Sequence, residues 1–121
     1  MSLPVWIGVA LLGGCGAVAR YLVHASVVRV DPDDFPLGTF IVNILGAFAL
    51  GVVVGAGAGH DVRLLAGTGF LGAFTTFSTW MFETERLAAD GYARQAAVNI
   101  AISLALGLGA AALGVQLGAV L

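Results

Sequence analysis

The chain has 121 residues, of which 60% are hydrophobic and only 10% are charged, with a formal net charge of −2 and a mean hydropathy of +1.01. A soluble domain carries about 25% charged residues, so the composition excludes a soluble globular protein. We predict a single domain over residues 1–121 in a lipid bilayer. The small net charge and the absence of a basic cluster in the sequence exclude a nucleic-acid partner.

Four uncharged stretches are long enough to cross a bilayer, which takes roughly 20 apolar residues in a helix. The first covers residues 3–19 and lacks the basic start of a signal peptide, so we expect a retained helix. The polar segment 24–36 contains two prolines and is expected to be a loop, with or without a short surface helix. Further spans are predicted over residues 37–58, 64–82 and 95–121.

The third stretch differs from the others in its residue types. Gly67, Gly69 and Gly72 precede a run of threonine, phenylalanine and serine over residues 75–79. This combination makes a poor continuous helix, and broken helices in membranes often bind ions through freed carbonyl groups. From this segment alone, a continuous glycine-rich helix and a broken one remain open. The other glycines are interpreted as helix-packing residues.

Few polar residues fall inside the predicted spans, so each is considered singly. Arg20 closes the first span, and from its position alone we interpret it as an interfacial arginine. Thr39 and Asn43 are four residues apart and share one helix face. The Asn43 amide either links helices, as such groups commonly do, or donates to an anion.

Aromatic and hydroxyl residues mark two further faces. Phe77 and Trp80 share a helical face with Glu83; such aromatics are usually packing residues, although their positive ring edges can also meet an anion. Glu83 is expected near the membrane end of its helix. Asn99 and Ser103 are four residues apart on the last span and therefore share one face of it. Donors on three helices favour a polar pathway. Because four helices with so few polar positions cannot enclose a hydrated pore, we expect an oligomer.

Three blocks of the sequence resemble the motifs of the Fluc (CrcB) fluoride channels. They are GGCGAVARY at 13–21, PLGTFIVNILG at 36–46 and GFLGAFTTFSTW at 69–80, with Glu83 following. The length and the four-span layout agree as well, so the resemblance covers the whole chain.

The resemblance implies a passive channel that exports fluoride across the cell membrane, built from all-α subunits of four transmembrane helices. It implies that the third helix is broken mid-membrane and that two subunits form an antiparallel, dual-topology dimer with two pores. By motif position, the carbonyl groups of Gly72 and Thr75 would bind a structural Na⁺ at the dimer axis, and Arg20 would lie near an aqueous vestibule. We predict a fluoride pathway made of the following residues: Thr39, Asn43, Thr76, Phe77, Ser78, Trp80, Glu83 and Ser103.

Two positions depart from the family pattern. Trp80 stands where the second pore aromatic is usually Phe, and Asn99 stands where the fourth helix usually has Tyr one turn before its serine. Trp80 keeps an aromatic edge and adds an indole N–H donor, but it is larger than Phe. We therefore expect a pore that conducts differently or that belongs to one side of a mixed dimer.

The distribution of arginines bears on the orientation of the chain. Arg63 alone lies on the predicted side of the two termini, whereas Arg29, Arg86 and Arg94 lie on the opposite side, with Arg20 at its boundary. The positive-inside rule favours that second side as cytoplasmic. A homodimer inserted both ways and a pairing with an oppositely oriented paralogue both remain open.

Two other classes of function remain open. A small four-helix drug/proton antiporter needs a carboxylate in its first helix, where this chain has neither Asp nor Glu. A non-conducting assembly partner needs only the packing glycines, which leaves Asn43, Ser103 and the 75–79 block unexplained. The sequence contains no catalytic constellation, so we predict that the protein is not an enzyme.

Overall fold

The computed structural model describes residues 1–27 and 35–121, and these fold into helices joined by short connections. In chain order they are α1 (Leu3–Val27), α2 (Leu37–Gly55), α3 (His60–Val62), a π-helix (Arg63–Leu71), α4 (Gly72–Phe74), α5 (Phe77–Ala89) and α6 (Ala93–Ala119). The described residues contain no β-strand. Because α3, the π-helix and α4 follow one another without interruption, they form one rod over residues 60–74, called the π rod below.

Three of the described helices, α1, α2 and α6, are long and apolar enough to cross a membrane. Their outward faces carry large hydrophobic side chains such as Trp6 and Leu11 on α1 and Leu104 and Leu108 on α6. An apolar surface of this extent is unsuited to water and suited to lipid. The stretch 64–82, predicted as the third span and called the third span below, is instead divided between the π rod and α5.

The close approaches between helices define an alternating up-and-down topology. Gly8 lies beside Leu65 and Gly16 lies against Phe70, so α1 and the π rod run in the same direction. Further contacts show that α2 and α6 are also parallel, whereas α1 and α2 are antiparallel, with the His24 ring beside Gly38. Both termini and the connection before His60 therefore lie at one end of the bundle, as the sequence predicted.

Glycines bring α2 and α6 into backbone contact along their length. A Cβ atom added at Gly51 or Gly55 would overlap the carbonyl oxygen of Ala111 or Val115. On α6, a Cβ atom added at Gly114 or Gly118 would likewise overlap backbone atoms of α2. The prediction that these glycines pack helices is confirmed, because a side chain at any of the four would separate the two helices.

Several boundaries differ from the sequence-based prediction, and the end of α1 is among them. The segment 24–36 was expected to be a loop, but α1 continues to Val27 and includes His24. The residues 24–27 contain neither proline nor glycine, and a histidine near a helix C-terminus is compatible with the helix dipole. The prolines come later, and residues 28–34, with Arg29, lie outside the described residues.

Candidate functional site

The third span is interrupted between the π rod and α5. Helix α4 ends at Phe74, after which Thr75 (φ −84°, ψ 161°) and Thr76 (φ −148°, ψ 124°) adopt extended backbone conformations. Helix α5 then begins at Phe77. The broken helix expected from the resemblance is therefore present, at the predicted glycine–threonine segment. Such a break leaves backbone N–H and C=O groups without helical partners.

The side chain of Asn43 pairs with the interrupted backbone. Its Nδ2 donates to the carbonyl oxygen of Thr76 at 2.9 Å, and the backbone N–H of Thr76 donates to its Oδ1 at 2.8 Å. The amide thus satisfies both backbone groups of one residue, as a neighbouring β-strand would. Gly46, one turn along α2, allows the methyl group of Thr75 to approach, since a Cβ atom there would overlap it.

Hydroxyl groups complete the start of α5. Thr76 Oγ1 accepts from the backbone N–H of Thr79 at 3.2 Å, which is an N-cap interaction, and it donates to Thr79 Oγ1 at 3.1 Å. Ser78 Oγ lies 3.4 Å from Thr76 Oγ1. On the other side of the break, Thr75 Oγ1 donates to the carbonyl oxygen of Leu71 at 3.0 Å.

Phe77 and Trp80 form an aromatic pair on the first turn of α5. Their ring centroids are 5.7 Å apart and the ring planes meet at 82°, which is an edge-to-face arrangement. Phe77 is 69% exposed, whereas Trp80 is half-buried. The predicted shared face of the two aromatics is therefore confirmed, and most of Phe77 points away from its own chain.

A second polar contact joins α2 to α5. The hydroxyl group of Thr39 donates to Oε1 of Glu83 at 2.5 Å, and Thr39 is fully buried within the described residues. Thr39 and Asn43 lie on one face of α2, so this face binds α5 at two points one helical turn apart.

A buried polar group joins α5 to α6. Asn99 Nδ2 donates to Thr84 Oγ1 at 2.8 Å, and Thr84 Oγ1 donates to the carbonyl oxygen of Trp80 at 2.8 Å. Two longer contacts, each 3.4 Å, run from Trp80 Nε1 to the Asn99 carbonyl oxygen and from Ser103 Oγ to Asn99 Oδ1. Thr84 was missed by the sequence-based prediction, although its position four residues after Trp80 places it on the same helix face.

An open groove of about 560 Å³ runs between α2 and the third span. Six of the predicted site residues line it: Asn43, Gly72, Thr75, Thr76, Phe77 and Trp80. Five do not line it, namely Arg20, Thr39, Ser78, Glu83 and Ser103. Arg63, the first residue of the π-helix, also lines the groove, although it was not predicted as a site residue. Its position at the start of the third span is the sequence feature that could have indicated it.

The groove offers main-chain oxygens and the side-chain oxygens of residues such as Asn43 and Thr75 as cation ligands. The described residues contain no group of three or more His, Cys, Asp or Glu side chains that could hold a metal ion. No hydrogen bond within the described residues reaches the carbonyl oxygen of Gly72 or Thr75. Backbone oxygens of this kind fit a hard cation such as Na⁺, which unwound helices of membrane proteins coordinate.

These features define a multi-pass α-helical membrane protein whose third span is broken beside a polar amide and an aromatic pair. Residues 7–115 match the family described as "CrcB-like protein, Camphor Resistance (CrcB)". The chain belongs to this CrcB family.

Curated relatives cover most of the chain and carry channel names. "Fluoride-specific ion channel FluC 2" of Mycobacterium tuberculosis is 53% identical over 114 residues, which are 94% of this chain and 90% of the relative. "Fluoride-specific ion channel FluC 1" of Symbiobacterium thermophilum is 45% identical over 119 residues, covering 93% of this chain and 96% of the relative. The family match over residues 7–115 includes the break at Thr75 and Thr76.

Proposed function

We propose that this chain is a subunit of a fluoride-selective channel that lets fluoride leave the cytoplasm passively through the cell membrane. The observation that carries this proposal is the broken third span, in which the Asn43 amide pairs with Thr76 directly beside the Phe77–Trp80 pair. The channel names of the relatives support it, and on this proposal the protein is a channel and not an enzyme.

The groove supplies the kind of donors that a small anion needs after it loses its hydration shell. The Asn43 amide has two N–H protons, and its hydrogen bond to Thr76 uses one of them. The exposed ring of Phe77 offers a positive edge. The hydroxyl of Ser78 is exposed near the same turn. Arg63 gives one end of the groove a positive charge, which would attract anions.

The remaining polar residues of the predicted pathway act from the rim of this site. Thr39 and Glu83 hold α5 against α2, and Ser103 lies beside Asn99. Arg20 is half-buried near the end of α1, where the guanidinium would draw fluoride into a vestibule. In this arrangement one carboxylate oxygen of Glu83 accepts a hydrogen bond from Thr39.

The carbonyl groups of Gly72 and Thr75 are the proposed ligands of a structural sodium ion. Two oxygens from one chain are too few for a hard cation, and a second chain would supply two more at the dimer axis. The ion would add a fixed positive charge that lowers the cost of bringing an anion into the membrane. Replacing Na⁺ by N-methyl-D-glucamine should lower the stability of the assembly, and an unchanged melting temperature would contradict the sodium site.

We further propose a dimer, because the groove is open and Phe77 is too exposed for a pore enclosed by one chain. Its antiparallel arrangement is what the resemblance to the family motifs implies. The second chain is another copy or an oppositely oriented paralogue. Tags on both termini distinguish the two. Labelling on both faces of the membrane supports the homodimer, whereas labelling on one face only supports the paralogue.

Fluoride efflux from liposomes tests the function itself. Purified protein, alone or together with a paralogous chain from the same genome, should release fluoride and retain chloride. A protein that releases a cationic dye but no fluoride would be a small transporter instead. A protein that releases neither would be an assembly partner.

A further inference from the structure

A closed ring of hydrogen bonds joins α5 to α6. The Asn99 amide donates to Thr84 Oγ1, and Thr84 Oγ1 donates to the main-chain carbonyl of Trp80, both at 2.8 Å. The indole N–H of Trp80 then returns to the carbonyl oxygen of Asn99 at 3.4 Å. Because the ring begins and ends on Asn99, it constrains both the main chain and the indole of Trp80 relative to α6.

The contact between Asn99 and Thr84 within this ring is shielded from solvent. Asn99 is 1% exposed and Thr84 is also buried. Every buried side-chain nitrogen and oxygen atom in the described part of the chain has a hydrogen-bond partner. A buried donor or acceptor that loses its partner is not rescued by water, and bonds in a chain strengthen one another at low dielectric. The ring therefore restrains Trp80 more firmly than an exposed contact would.

Asn99 is separate from the groove that we assign to fluoride. It does not line that groove, and its amide is committed to Thr84 within the bundle. Trp80 does line the groove, but its indole N–H is directed to Asn99. Trp80 consequently contributes ring atoms to the groove, and its ring plane is set against Phe77 at 82°.

We propose that Asn99 and Thr84 are positioning residues, a clamp that fixes the orientation of Trp80 and thereby the edge-to-face pair with Phe77. This inference rests on the proposed channel function and adds to it two residues that do not touch the ion. The clamp makes fluoride flux depend on a threonine hydroxyl group that lies outside the groove.

The experiment replaces the hydroxyl group of Thr84 and observes Trp80 directly. Thr84→Val removes the hydroxyl with little change in shape, and Thr84→Ser, the matched control, retains it. Both are made in a Trp6→Phe background, because Trp6 is the other tryptophan and lies exposed on α1. The tryptophan emission then reports on Trp80 alone, and fluoride efflux from liposomes is measured on the same samples.

We expect Thr84→Val to lower the efflux rate by about tenfold, in line with a lost buried hydrogen bond, and to shift the Trp80 emission maximum. Thr84→Ser should keep the efflux rate and the emission maximum of the parent protein. If Thr84→Val does not fold, Thr84→Ala is measured in the same way. If both fail to fold while Thr84→Ser folds, the hydroxyl is a folding element and the positioning role is wrong.

The remaining outcomes also decide the question. Lowered efflux with unchanged emission would mean that Thr84 does not act through Trp80, and changed emission with unchanged efflux would mean that the orientation of Trp80 does not control flux. Either result overturns the clamp while the proposed channel stands.

If the Trp6→Phe parent passes no fluoride although the unmodified protein does, Trp6 is restored and efflux alone is compared. If the unmodified protein passes none, alone or with a paralogue, the proposed function fails and the clamp's role in flux fails with it.

Discussion

Two regions of the bundle hold their helices together by different means. The α2–α6 contact consists of glycines on both helices that place backbone against backbone. Helix α5, in contrast, is attached by hydrogen bonds of polar side chains. Asn43 of α2 bonds to Thr76 at its start and Thr39 of α2 bonds to Glu83. Asn99 of α6 bonds to Thr84. Membrane helices use both means, but only the polar attachment leaves donors beside the groove. The comparison indicates that the first region is scaffold and the second is the working site.

The largest effect is expected when the glycine contact is broken. Gly118→Val would drive a side chain into the Val52 carbonyl oxygen of α2. Overpacking of this kind costs about 1–3 kcal/mol even where side chains can move, and backbone cannot move aside. We expect the variant to lose most of its monodisperse protein in size-exclusion chromatography. Gly109→Val, on the same helix with no neighbour within 4 Å, should behave as wild type; equal losses would contradict the scaffold role.

Asn43→Ala tests the polar attachment at the break. The change leaves the part-buried N–H and C=O groups of Thr76 without their partner, at a cost below the about 1–3 kcal/mol of a fully buried group, and it removes the proposed anion donor. We expect fluoride efflux to fall to the background of empty liposomes while the dimer survives. Leu45→Ala, at an exposed position on the same helix, should conduct normally. Normal efflux from Asn43→Ala would remove this residue from the pathway.

Phe77→Ile separates flux from stability. The ring is 69% exposed, so its loss should leave the melting temperature nearly unchanged, yet efflux should be abolished because the ring edge is gone. Phe82→Ile is the matched control, since Phe82 is similarly exposed on the same helix but lies outside the groove. If both variants conduct alike, the aromatic pair has no role in transport.

The smallest expected effect is at the N-cap of α5. Thr76→Ala should destabilise the protein by about 1 kcal/mol through loss of the cap and lower the efflux rate severalfold. Thr76→Ser should retain the stability and the efflux rate of the wild type. Thermal unfolding and efflux measured on the two variants check this expectation, and a Thr76→Ala protein as stable as wild type would show that the cap contributes little.

The sequence predicted the coarse architecture because it follows from composition. Uncharged stretches marked the spans, and the glycines before Thr75 together with the family motifs predicted the break. The π-helix (Arg63–Leu71) was not predicted, since its residues show no periodicity that differs from an α-helix. The end of α1 also differs, because the polar residue His24 predicts the start of a loop whereas the helix continues to Val27.

The pairings within the site were harder to predict than the residues that form it. Asn43 and Thr76 are 33 positions apart, and Thr39 and Glu83 are 44 positions apart. Such pairs depend on how the helices are rotated in the bundle, which neither spacing nor hydropathy specifies. For the same reason Asn99 was recognised as a departure from the family pattern, while its partner Thr84 was not.

The most direct test of the account compares wild type and Asn43→Ala in liposomes at equal protein content, with a fluoride electrode. We expect fluoride release without chloride release from the wild type, and release of neither ion from the variant. Equal fluoride release from both proteins would contradict the claim that the amide at the break serves the anion.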